Sequence, residues 1–241
     1  MNATKQQDLQ AVISTIQKKW GANAIRQEGI EKTTQYLSTG FAKLDALING
    51  GVMRGAFTEI VGKPTSGMTT IALNLMARSQ HMGDGAINID RAAAFDPATA
   101  RFCGVNVPEL LLIRYDFETA VSLLYDIMAN NFVGVVVFNT LPELSHEQHL
   151  SLAQTINRLI PLLTHTQCAL VVLTLATRKR SLISQYASLR LQTTFERCLT
   201  VDGEIQGYQS VVTILKHKQW NEDKKVPIQI LFDQKISQWE P

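Results

Sequence analysis

Nine consecutive residues carry the chemistry that this chain is best placed to do. Gly62-Lys63-Pro64-Thr65-Ser66-Gly67-Met68-Thr69-Thr70 follows most of the pattern G-x-x-x-x-G-K-[ST], a loop that cradles phosphate in backbone N–H groups. Gly62, Gly67 and Thr69 fit, and Thr70 follows them. The lysine position holds Met68. The backbone donors and the helix N-terminus still favour an anion, and Thr69 has the hydroxyl that would meet Mg²⁺. The ammonium that neutralises the β and γ phosphates is replaced by an uncharged thioether. Weak binding of ATP and Mg²⁺ is compatible with such a loop. Efficient phosphoryl transfer is not, because it depends on charge stabilisation. The alternative is a glycine-rich strand-to-helix turn with no phosphate ligand.

Other reactive residues are sparse. Arg178-Lys179-Arg180 could touch phosphates of single-stranded DNA. So few charges imply modest, salt-sensitive affinity, and Tyr186 is the one nearby candidate for base stacking. His146 and His149 lie three apart with Glu143 and Glu147 near them. A metal would need further ligands, and capping by Ser145 accounts for this stretch more simply. Cys103, Cys168 and Cys198 share no close spacing, which fits lone buried thiols in a reducing compartment. No Ser-His-Asp or Cys-His arrangement stands out.

These residues need a scaffold. A helix is expected over the first twenty residues, with Leu9, Val12, Ile13, Ile16 and Trp20 on one face. Residues 1–35 read as an arm outside a core of 36–241. In the core, strands are expected over 57–61, 85–90, 110–113, 133–138 and 169–175. Helices are expected over 69–77, 119–129 and 149–163. The runs at 133–138 and 169–175 are continuously apolar, as in strands buried on both faces. Runs at 209–216 and 227–232 alternate like antiparallel strands. The fold class is therefore α/β: a mostly parallel sheet flanked by helices, with antiparallel strands at the C-terminal end.

The 241 residues are 45% hydrophobic and 18% charged, with a net charge of +2. That excludes a disordered chain and points to no polyanion partner by itself. The first ten residues are polar, so no signal peptide is expected. The richest apolar stretch, 159–176, is interrupted by Pro161, His165 and Gln167, so no membrane span is expected. A cytoplasmic location follows as an expectation.

Beyond the loop, the chain resembles bacterial RecA recombinases. Leu37-Ser38-Thr39-Gly40 with Leu44-Asp45 is similar to the segment ahead of their phosphate loop. So are Ile89-Asp90, Phe95-Asp96-Pro97, Ala100-Arg101 and Gly104-Val105 to the stretch after the second core strand. Tyr186-Ala187-Ser188-Leu189-Arg190-Leu191 is similar to the segment after the second DNA-binding loop. Leu215-Lys216-His217-Lys218 resembles the late lysine pair, and the helix ending at Trp20-Gly21 resembles the arm that docks on a neighbouring subunit. The resemblance implies a RecA-like phosphate-loop core.

It also implies what is altered. The positions of the phosphate lysine, the water-activating carboxylate, the magnesium-linked aspartate, the γ-phosphate-sensing glutamine and the adenine-stacking aromatic fall at Met68, Ala92, Asn139, Ala176 and Thr99. Asp96 is retained near the adenine position, where an Asp-Pro turn explains it equally well. The DNA loops are short, and the family's C-terminal domain is expected to be missing. Among shorter relatives the chain looks most like ImuA-type accessory proteins of mutagenic translesion synthesis; a filament-regulating RecA paralogue of another type is the close alternative. The expectation is a non-catalytic accessory protein, with no required cofactor, that binds RecA filaments, translesion polymerase subunits or both. Lys216 and Lys218 would contribute to that interface, unless they form a solvated strand-end cluster with Lys224 and Lys225. Two rival readings remain. One is a cryptic ATPase using Lys63, which sits where MinD-like ATPases carry an interface-crossing lysine. The other is a single-stranded-DNA-binding structural protein.

Overall fold

The structure is a computed structural model that describes residues 11–12, 14–15, 18–19, 35–129, 132–141, 143–176, 181–217 and 223–232. The chain divides into two units, Met1–Thr34 and Gln35–Pro241. In the first, the described residues Ala11, Val12, Ser14, Thr15, Lys18 and Lys19 are helical, as the apolar spacing there predicts. Val12 is exposed.

The second unit runs β1 (Tyr36–Leu37), α1 (Ala42–Leu47), β2 (Val52–Met53), β3 (Phe57–Gly62), α2 (Met68–His81), β4 (Gly85–Asp90), α3 (Pro97–Phe102), β5 (Leu111–Ile113) and α4 (Phe117–Met128). It continues with β6 (Val133–Asn139), α5 (His146–Thr166), β7 (Ala169–Leu175), β8 (Leu189–Val201), β9 (Glu204–His217) and β10 (Lys225–Leu231). The main sheet has the order β10-β9-β8-β3-β7-β6-β4-β5. Neighbours from β8 through β5 pair in parallel, and β9 and β10 pair antiparallel. This is the mostly parallel α/β sheet that the alternating pattern predicts.

Both faces of the sheet are covered, which is why the central strands are apolar at successive positions. Val135 and Val137 of β6 face a core formed with α1 and α2, while Val136 and Phe138 face a second core formed with α4 and α5. Capping sets the helix starts. Ser145 caps α5 in a capping box with Gln148, so the helix begins at His146 rather than at the first apolar repeat. Asp116 caps α4 by accepting from Thr119 N. The helix also continues through Pro161 to Thr166.

Besides the short β1, β2, α1 and α3, the element absent from the sequence expectation is the long strand β8 over residues 189–201, of which only 189–191 belong to a stretch with a family likeness. Its first half alternates buried and half-buried residues, and its second half is mostly exposed, paired with β9 and running past the end of β10 at Thr200 and Val201. A strand half exposed on both faces has no apolar period to read.

Burial decides the reactivity of the thiols. Cys103 and Cys168 are buried and Cys198 is exposed. Burial pushes the Cys103 thiol up to about 11 and the Cys168 thiol up to about 12. Alkylation of the native protein at neutral pH should therefore modify Cys198 alone, with Cys103 and Cys168 reacting after denaturation. Peptide mass spectrometry of the labelled protein checks this.

Candidate functional site

The phosphate-loop sequence lies where the pattern requires, between β3 and α2. Gly67 takes the left-handed conformation (φ 94°) at the N-terminus of α2, a conformation that glycine adopts without cost. Lys63, Pro64, Thr65 and Thr69 are exposed. Met68 is only 3% exposed and belongs to the same core as Ile228 and Ile230 of β10.

Side chains of the loop, of α2, of β8 and of β10 pack against its two glycines. Ser66 Oγ donates to Lys63 O at 2.6 Å and meets Thr193 Oγ1 of β8 at 2.6 Å. A methyl group on Gly62 would collide with the Thr193 hydroxyl, and would lie 2.5 Å from Ser66 Oγ and 2.8 Å from Met68 Cγ. On Gly67 it would lie 2.8 Å from Ile230 Cδ1. Thr193 was not singled out by the sequence; it reaches the loop because β8 pairs with β3 in the register that sets Gly62 opposite Thr193. Thr70 hydrogen-bonds Tyr208 of β9, whose phenol is pushed up by burial and held back by that bond. Tyr208 stands between Phe195 and Phe232 at ring-centroid distances of 6.1 and 6.2 Å, an aromatic row across β8, β9 and the residue that follows β10. These residues are far apart in sequence, and only the strand pairing joins them.

The other positions singled out lie on several elements. Ala176 N donates to Gly62 O at 2.9 Å, so the residue after β7 sits directly against the loop. Asn139 ends β6 opposite Asp90, and its side chain accepts from Leu141 N, turning the chain at the strand end. Ala92 is exposed just after β4. Asp90 itself is buried, and it accepts from Ala94 N and Phe95 N, which shapes the following loop. Asp96 is the N-cap of α3, accepting from Ala98 N, Thr99 N and Thr99 Oγ1, with Pro97 in the first turn. Those bonds, the Thr99 hydroxyl first, hold its carboxyl below the usual range. Lys216 Nζ donates to Gln185 O at 2.9 Å and to Ser184 O at 3.4 Å, so it turns onto its own chain. Tyr186 is half-buried against the second core. Trp20, Arg178, Lys179, Arg180 and Lys218 lie outside the described residues.

A cavity of about 810 Å³ opens behind the loop at the ends of β3, β7 and β8, lined among others by Glu59, His149, Thr174, Ala176, Arg190 and Lys216. Glu59 is fully buried; it accepts from Arg190 Nε at 2.6 Å and Thr174 Oγ1 at 3.1 Å. His149 Nδ1 is buried with no hydrogen-bond partner among the described residues. No group of three or more metal-ligating side chains occurs among them.

Residues 7–156 match the family model of the RecA N-terminal domain. The chain belongs to this family. Protein RecA of Roseiflexus castenholzii is 37% identical over 149 residues, 60% of this chain and 42% of that protein. Protein RecA of Clostridium novyi is 26% identical over 268 residues, 98% of this chain and 77% of that protein. Protein RecA of Ehrlichia chaffeensis is 27% identical over 269 residues, 98% of this chain and 75% of that protein. The chain thus spans less than half of the first of these RecA proteins and about three-quarters of the other two. Among the described residues, no helix is long and apolar enough to cross a membrane.

Two outcomes follow from the burial of these groups. Replacing Arg190 by Ala leaves the Glu59 carboxylate buried and unpaired, which should destabilise the fold by about 3–5 kcal/mol in urea denaturation. The imidazoles of His149 and His217 are both lowered from 6.5, chiefly by burial; Glu143 and Glu59 oppose the shift at His149, and His146 adds to it. The folded state thus favours neutral imidazole, so this stability is present above pH 6.5 and is lost as the pH falls. Denaturation midpoints should drop between pH 7.5 and 5.5, and His149→Gln should flatten that slope.

Proposed function

We propose that this RecA-family chain is a non-catalytic accessory protein of DNA repair and SOS mutagenesis, of the ImuA type. In this reading it binds RecA filaments, a translesion polymerase complex, or both. The observation that carries the reading is Met68. At the position of the loop lysine the chain places a thioether, and packs it into the core. An ATP·Mg²⁺ group fits this loop poorly, because the buried Met68 thioether offers its phosphates no charge and the Ser66 hydroxyl is already bonded to Lys63 O and Thr193. Ala92, Asn139, Ala176 and Thr99 remove further groups that RecA-type hydrolysis would call on, and no catalytic step is assigned to the residues that remain.

A partner surface supports the reading. β5 is the edge of the sheet beyond β4, only three residues long, with Leu111 51% exposed. Beside it lies a mostly apolar groove of about 360 Å³ lined by Ile87, Leu111, Leu112, Ile113, Ile127 and Phe132, with Asp126 as its one charged residue. An unpaired strand edge with exposed apolar side chains is suited to a protein partner. The opposite edge, β10, carries Lys225 and Pro227, which discourage pairing.

Phosphate release by the purified chain, with and without single-stranded DNA, should stay at background, and a pull-down with RecA should retain the chain. Leu111→Asp should weaken that retention about tenfold. Turnover that disappears in Lys63→Ala would establish the cryptic ATPase instead. Salt-sensitive retention on single-stranded DNA without RecA would favour the DNA-binding alternative. RecA binding unchanged in Lys216→Ala/Lys218→Ala would remove the lysine pair from the interface.

A further inference from the structure

The loop between β3 and α2 is tied to its own protein by hydroxyl and apolar contacts. Ser66 has one hydroxyl hydrogen, and Lys63 O takes it. Thr193 must therefore donate in the 2.6 Å contact between the two hydroxyls. Both residues are buried, at 2% exposure each. Met68 lies in the core beside them, and Ile228 and Ile230 of β10 close over Gly67. The loop is thereby fastened to β8 through a hydroxyl pair and to β10 through apolar contact. Ala176 N adds a bond from the end of β7 to Gly62 O.

From this geometry we infer that the phosphate loop has become a structural clasp, which holds the start of α2 against β8 and β10. Restoring the lysine does not restore nucleotide binding. The inference rests on the non-catalytic reading, but it makes a separate claim: Met68 and Thr193 are core residues whose contacts stabilise the fold. Met68 is then more than the relic of a lost cation. An ammonium at position 68 would enter an apolar core with no carboxylate beside it on the loop, so it would be driven out or would pull the clasp open.

The test uses the full chain and compares Met68→Lys, Met68→Leu and a cycle of Ser66→Ala, Thr193→Val and the double variant. Thermal unfolding is followed with and without ATP·Mg²⁺. Met68→Leu should keep the wild-type Tm. Met68→Lys should lower it by more than about 5 °C and show no rise on adding ATP·Mg²⁺. Thr193→Val should lower it by about 2–4 °C, and the double variant should lose less than the two single losses together. An ATP-dependent rise in Tm in Met68→Lys, or a Tm equal to wild type, would overturn the inference. If Met68→Lys does not accumulate as folded protein, the cycle decides, and strictly additive Ser66 and Thr193 losses would overturn it. Hydrolysis by the wild-type chain would instead count against the non-catalytic reading, whatever the variants do.

Discussion

A buried carboxylate fixes the centre of this molecule. Glu59 sits in β3, between β7 and β8, with no exposure to solvent. A charge there persists only if neighbouring strands satisfy it. Thr174 of β7 and Arg190 of β8 both do so. Arg190 is also the residue paired with Glu59 across the parallel strands, so the ion pair specifies the register of β8. That register, counted three residues along both strands, brings Thr193 opposite Gly62. The contact that fills the phosphate loop is therefore a consequence of a charge buried elsewhere in the same strand. A slip of one residue would turn Thr193 to the other face and part Glu59 from Arg190 at the same time.

The C-terminal strands extend this constraint. β9 adds antiparallel to β8 and β10 antiparallel to β9, and their inward residues Val212, Ile214, Val226, Ile228 and Ile230 join the core that includes α2. This is how residues more than 150 positions apart come to share one small volume at Gly67. The aromatic row of Phe195, Tyr208 and Phe232 has the same origin, with a bulge between Phe195 and Arg197 adjusting the alignment. Family membership describes the N-terminal match over 7–156, but the packing that individualises the loop comes from outside it.

Local signals were legible in the sequence where the physics is local. The Ser145 cap, the apolar runs of β6 and β7 and the strand–loop–helix frame of residues 57–77 all follow from neighbours within a few positions, whereas Asp96-Pro97, which reads as a turn, starts the helix α3. The missing lysine was legible too, since one residue type decides it. The fate of the space it left was not. Thr193, Ile228 and Ile230 carry no motif, and they reach the loop only through strand register. β8 was unreadable for a related reason: past Thr193 it leaves the core, and the alternation stops. Lys216 shows the converse. Its type and place suggest a group reaching toward a neighbour, and the sequence carries no sign that Ser184 O and Gln185 O of the same chain are its partners.

A loop that is a clasp and a loop that is a cradle differ most clearly in their amide exchange. Hydrogen–deuterium exchange over residues 62–70, with and without ATP·Mg²⁺, reads that difference directly. Slow exchange comparable to β3 itself, unchanged by nucleotide, is the result expected of a structural clasp. Fast exchange that slows when ATP·Mg²⁺ is added would contradict it.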